Sequence, residues 1–230
     1  MKNSDFNPKS FWEEKIFTWE ENRYKEKVSS ASTFECLASR LSGSLRFRRQ
    51  FALQYLVPHV EGQRIVELGC GSGFLAEELI KHGAVSYFGF DIAQNAIDVA
   101  NRRTKAANLG SQINFKCLSV DSLPSMEVDV VFSLGLLDWL TDIQLSTLFA
   151  HFHSTHYLHS ISEKRLSLQQ LIHKFYVNIT YGYRTGNYVP RYYDVGFIKR
   201  IINPHSSKPI QVIRHSKLGF GAFLTTLPKY

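Results

Sequence analysis

Nowhere in the 230 residues is there the roughly 20-residue apolar run that a membrane-spanning helix needs. The start, MKNSDFNPKS, carries charge and polar groups with no apolar stretch behind them, so no secretory signal is expected there. Cysteine is scarce: Cys36, Cys70 and Cys117 are odd in number, far apart and without a CxxC pair. That pattern argues against a disulfide framework or a zinc ribbon and for a reducing compartment, with the cytoplasm as the expected location. Internal repeats and low-complexity tracts are missing too. The length suits one full core and is short for two independent domains.

Charge is unbalanced, with a formal excess of +7. A basic chain expects an anionic partner, and nucleic acid, phosphorylated small molecules and acidic membrane surfaces all qualify. The excess speaks to association and leaves the fold open.

From residue 63 onward, short β-rich runs alternate with helical ones. RIVELG, VSYFGFD, INFKCLSV, VDVVFSLG and HYLHSIS read as strands. GFLAEELIKH, AQNAIDVANRRTKAANLG, TDIQLSTLFAHF and RLSLQQLIHKFYV read as helices, with Asn108 and Gly110 closing the second and a Thr141/Gln144 capping box opening the third. Such alternation predicts an α/β fold, a parallel sheet covered by helices on both faces. IQVIRHS and FGAFLTTL lie too close together for a helical crossover, so they should close the sheet as an antiparallel hairpin. That makes seven strands. Residues 1–60 read as an N-terminal helical extension, in which Phe11, Trp12, Ile16 and Trp19 recur at helical spacing and form either a core-packed helix or a lid over a site.

Between the first strand and its helix, ELGCGSG crowds Gly69, Gly71 and Gly73 into five positions. Strand, glycine loop and helix in that order present backbone N–H groups at the carboxyl edge of the sheet, where ligands of open α/β sheets bind. No Gly-Lys-Ser/Thr follows, which excludes a P-loop, and Phe74 stands where a dinucleotide fingerprint needs a small residue. The acidic Glu67 just upstream disfavours pyrophosphate and suits a cationic ligand.

In these residues the chain resembles the class I S-adenosylmethionine (SAM)-dependent methyltransferases. VELGCGSG looks like their first motif, FGFDIA like the second, CLSVDSLP like the third and VDVVFSLGLLDWL like the fourth. The resemblance spans roughly residues 60–145. It implies a Rossmann-like, doubly wound fold over residues 61–230 and SAM as cofactor, with S-adenosylhomocysteine as product. It also implies cofactor contacts from Glu67, Gly69, Gly71, Gly73, Asp91 and Ile92, from Asp121 and Ser122 near the adenine, and from Ser133 and Leu134 near the methionine portion. Asp91 is the expected ribose ligand, since one carboxylate can accept from two vicinal hydroxyls.

Candidates for the chemistry are thinner. His159 in the fifth strand is the first candidate general base and Asp138 after the fourth the second. His151, His153, His156 and His159 cross a helix end, a turn and a strand, so their rings should diverge, and no metal site is expected. Residues 163–195 read as a substrate-lid insertion. Within it YGYRTGNYVPRYY combines five tyrosines with Arg184 and Arg191, and Arg184, Tyr188, Arg191 and Tyr192 are the expected acceptor-binding residues. The expectation is O-methylation of a polar small molecule, sugar- or phosphate-bearing and anionic. An RNA methyltransferase and a non-catalytic SAM-binding module are the alternatives. Nucleic acid ranks lower because no RNA-binding module and no concentrated lysine run is apparent.

Overall fold

Isoleucine, valine and leucine make up most of β1, Arg64–Leu68, and its last four residues are buried, as suits a strand covered on both faces. It lies between β2 (Ser86–Asp91) and β4 (Val130–Leu134) and runs parallel to both. β3 (Ile113–Cys117) pairs parallel with β2, and β5 (His156–Ser162) parallel with β4. β6 (Gln211–Arg214) and β7 (Gly221–Thr225) form the expected antiparallel pair, and β7 inserts between β5 and β6. The sheet has seven strands in the order β3-β2-β1-β4-β5-β7-β6.

The computed structural model describes residues 6–24, 46–152, 155–178 and 188–228. Its helices are α1 (Pro8–Tyr24), α2 (46–56), α3 (Ala76–Lys81), α4 (Gln94–Ala106), α5 (Asp142–His151), α6 (Leu168–Val177) and α7 (Val195–Ile202). Alternation along the strands builds two cores. Ile65, Tyr87, Phe132, Leu158 and Phe223 meet α2, α3 and α4 through Ala52, Leu56, Leu79 and Ile97. On the other face Val66, Leu68, Val131 and Leu224 meet α5 and α7 through Leu145, Leu148, Ile198 and Ile202. Each such aliphatic side chain contributes roughly 1.5–3 kcal/mol on burial.

The Thr141 capping box opens α5, and Asn108 takes φ +56° just beyond α4. Two elements differ from expectation. α3 has six residues, with the glycine loop's turns filling the rest of the expected span. α7 was not anticipated: it begins Val-Gly and has only eight residues, and its start is fixed by the Asp194 carboxylate accepting from Phe197 N–H.

α1 joins neither core layer. Ile16 packs on Ala93 and Ala96, beside the carboxyl end of β2, and Trp12 meets Trp139, beyond β4, edge-on at 4.9 Å. The helix therefore crosses the edge where the loops after β1, β2 and β4 gather. α2, by contrast, is part of the core.

Candidate active site

The loop after β1 is tied to β2 because Gly69 N–H and Cys70 N–H both donate to the Phe90 carbonyl, at 2.7 and 3.1 Å. Gly71 and Gly73 hold φ of +52° and +69°, a conformation that side chains resist. A Cβ at Gly71 would overlap the Glu20 carboxylate from α1, and one at Gly73 would overlap the Phe115 ring from β3. Some of what lies against the glycine backbone is thus the protein's own side chains. Glu20 is held there by Ser72, whose N–H donates at 2.7 Å and whose hydroxyl donates at 2.5 Å.

Three buried carboxylates surround this loop: Glu20, Glu67 and Asp91. Asp91 accepts from Gly71 N–H through Oδ2 (2.8 Å) and from Ala93 N–H through Oδ1 (2.9 Å). Burial raises its pKa, and these N–H groups oppose the rise. Each oxygen keeps a second lone pair for a ligand hydroxyl. Glu67 accepts from the Tyr87 hydroxyl. Its pKa is pushed up to about 8, chiefly by burial, with the neighbouring Asp91 and Glu20 adding to the rise. So many buried acids favour a cationic occupant.

Other expected cofactor residues divide between the edge and the core. Ile92, half-buried, follows Asp91 and accepts the Cys117 thiol at its carbonyl. Asp121 and Ser122 are exposed on a turn after β3, where Asp121 accepts from the Gln144 amide at 2.8 Å. Leu134 ends β4 at the edge, and the neighbouring Leu136 packs against Gly69. Ser133 points away from them. Its hydroxyl pairs with His159 Nδ1 at 2.9 Å, and both residues are wholly buried.

His159 stacks on Tyr157 and meets Phe149 of α5 edge-on. Burial holds its pKa down to about 3. Both side chains are thus buried against α5, whereas the sequence reading expects a cofactor contact from Ser133 and a general base in His159. The other histidines diverge: His151 contacts the Pro124 carbonyl, His156 contacts the Thr226 carbonyl, and His153 lies outside the described residues.

Asp138 does stand at the edge, beyond β4. It is buried and accepts from Ser162 N–H (2.8 Å) and from the Ser162 hydroxyl (2.7 Å) at the end of β5. Tyr188 joins an aromatic cluster with Phe6, Phe11, Trp12 and Trp139, and its hydroxyl accepts from Trp12 Nε1 at 3.3 Å. Arg184 lies outside the described residues. Arg191 is already engaged: it donates to the Leu140 carbonyl (2.7 Å), pairs with Asp142 and lies over the Tyr193 ring. These contacts correct its expected role as an anion receptor.

Residues 65–156, from β1 to the first residue of β5, match the family described as "Methyltransferase domain". The match takes in fewer than half of the 230 residues, and over them the chain is similar to that domain. Within this part it is similar to "Ubiquinone biosynthesis O-methyltransferase" of Coxiella burnetii (strain RSA 493 / Nine Mile phase I), 31% identical over 96 residues, 40% of each chain. The protein of the same description from Neisseria meningitidis serogroup A is 32% identical over 95 residues, 39% of this chain and 40% of that one. The chain thus matches about 40% of the length of these curated relatives.

Among solved structures, magnesium protoporphyrin IX methyltransferase from Synechocystis PCC 6803 with bound SAH superposes with a TM-score of 0.70 at 17% identity, covering 94% of this chain and 96% of that one. A protein from Bordetella parapertussis, described as a possible exported protein, superposes at 0.71 with 15% identity, covering 93% and 79%. These likenesses show that the fold extends well beyond the matched segment.

Three residues around the matched segment escaped the sequence reading: Glu20, Arg48 and His173. Each belongs to a helix outside residues 65–156. Helical spacing held a signal for the first two. Glu20 lies four residues after the buried Ile16, and Arg48 four before Ala52 and eight before Leu56, both fully buried. His173 in α6 faces Tyr192, with Nδ1 2.5 Å from the tyrosine hydroxyl. Among the described residues no helix is long and apolar enough to cross a membrane.

Proposed function

We propose that this chain is a SAM-dependent methyltransferase acting on oxygen of a small, polar acceptor that carries an anionic group, as a phosphate-bearing or similar molecule would. The observation that carries the reading is Asp91. Its buried carboxylate sits at the carboxyl end of β2 beside the glycine loop, with one lone pair open on each oxygen after its two backbone bonds. The donor set fits the cofactor: Asp91 for two ribose hydroxyls, the glycine-loop backbone and its ring of acids for the cationic amino-acid end, and Asp121 and Ser122 at the adenine rim.

Bound SAM would supply a methyl group already activated by its sulfonium. The protein's own contribution is alignment and exclusion of water. Asp138, Tyr188 and Tyr192 stand on the acceptor side, beyond β4 and β5. His173 replaces His159 as the candidate hydrogen-bond acceptor for the acceptor hydroxyl: burial, with the nearby charge of Arg48, lowers its pKa to about 4, so the ring is neutral at pH 7 and only weakly basic. α1 serves as a lid over the cofactor end, its Glu20 and Trp12 bridging the glycine loop and the loop after β4.

Calorimetric titration with SAH tests the reading. Asp91→Asn, which keeps an acceptor for only one of the two loop N–H groups, should weaken binding by about 1.5–3 kcal/mol through loss of charged hydrogen bonds. Unchanged affinity in that variant would remove Asp91 from the site and the proposal with it.

A further inference from the structure

Arg48 is 8% exposed, and its guanidinium makes no hydrogen bond or ion pair among the described residues. A buried cation without a direct partner is costly. It does not lie at random. One terminal nitrogen is 3.3 Å from the point where a Cβ on Gly221 would sit, so the absence of a side chain at Gly221 makes room for the guanidinium against the sheet. Gly221 pairs with Ser162, the last residue of β5. On the same face of β5, two residues before Ser162, the Ser160 hydroxyl is buried and has no partner.

The surroundings are suited to an organic anion. Phe220, next to Gly221, packs against His173 (4.9 Å between centroids) and Tyr192 (5.8 Å), which form the wall from α6 and the loop before α7. Asp138 completes the polar set: each of its carboxylate oxygens accepts one bond from Ser162, and its charge acts on Arg48 without a direct ion pair. A guanidinium without a direct hydrogen bond and the unpartnered Ser160 hydroxyl thus lie near the aromatic wall of His173, at the carboxyl end of β5.

From this geometry we infer that Arg48, with Ser160 beside it, is the receptor for the acceptor's anionic group, a carboxylate or a phosphate on a planar or ring-bearing molecule. The guanidinium fork suits either anion. This assignment rests on the methyltransferase reading for the word acceptor, while the anion site itself stands on the contacts above.

The test uses the full chain with benzoate and with inorganic phosphate as probes, against chloride at matched ionic strength. One of the two should raise Tm with concentration, as preferential binding to the native state requires, and which one does so identifies the anion. Arg48→Met should abolish that rise, and Arg48→Lys should weaken binding about tenfold or more. Without anion, Arg48→Met should melt close to wild type, because removing a desolvated charge offsets the loss of its attraction to Asp138. SAH binding measured on the same variants should be unchanged.

If neither anion stabilised the wild type, or if Arg48→Met responded as the wild type does, the inference would be overturned. A lowered Tm for Arg48→Met without anion would make Arg48 a structural residue, with the same consequence. Failure of SAH to bind the wild type would instead strike the cofactor reading and leave the anion result to stand separately.

Discussion

Glu67→Gln probes the electrostatics of the glycine loop directly. In the folded chain burial raises the Glu67 pKa to about 8, whereas the unfolded chain should titrate near the ordinary 4.5. Between those values the native state keeps a proton that the unfolded state releases. Stability attributable to this group is therefore intact below about pH 4.5 and falls as pH rises towards 8. One proton over two pH units corresponds to about 2–3 kcal/mol. Glutamine does not titrate and can still present a carbonyl to the Tyr87 hydroxyl. The stability of Glu67→Gln relative to wild type should accordingly grow by about 2–3 kcal/mol between pH 5 and pH 7. Urea unfolding at the two pH values reads this difference. A constant difference would mean that Glu67 is ionised in the native state, and the account of the loop as a crowded acidic site would fail.

Arg191→Ala should cost about 1 kcal/mol in urea unfolding, because its ion pair with Asp142 is partly exposed, and should leave SAH binding unchanged. A loss of SAH affinity would return Arg191 to the site. If α1 is a lid, SAH should change the tryptophan emission, since Trp12 and Trp139 touch across the edge it covers. The change should shrink in Trp12→Phe, and an unaltered spectrum on saturation would assign α1 a fixed structural role.

The strands and the α5 capping box were legible because their signals are local: alternation, a cap and a turn lie within a few residues of each other. The glycine loop was legible as a place of close approach but not as to what approaches, since Glu20 and Phe115 arrive from distant elements. Ser133 and His159 show a different difficulty. Their strands are covered on both faces, so alternation does not say which face meets a helix and which end meets a ligand. Both turned out to pack beneath α5. Arg48 had a visible signal, a charge in phase with Ala52 and Leu56, but its nearness to Gly221 and Ser162 depends on β7 lying beside β5. The tyrosine-rich loop advertised arginines. The contacts of Arg191 with Leu140 and Asp142 engage that side chain internally, and no sequence pattern announces such an engagement.

The central claim, that the glycine loop and Asp91 hold a sulfur nucleoside, is tested most directly by calorimetric titration of the full chain with SAH and, separately, with NAD. The account predicts a saturable 1:1 isotherm with SAH that weakens about 10- to 100-fold in Asp91→Asn, and no saturable heat with NAD. Saturable binding of NAD without any binding of SAH would contradict it.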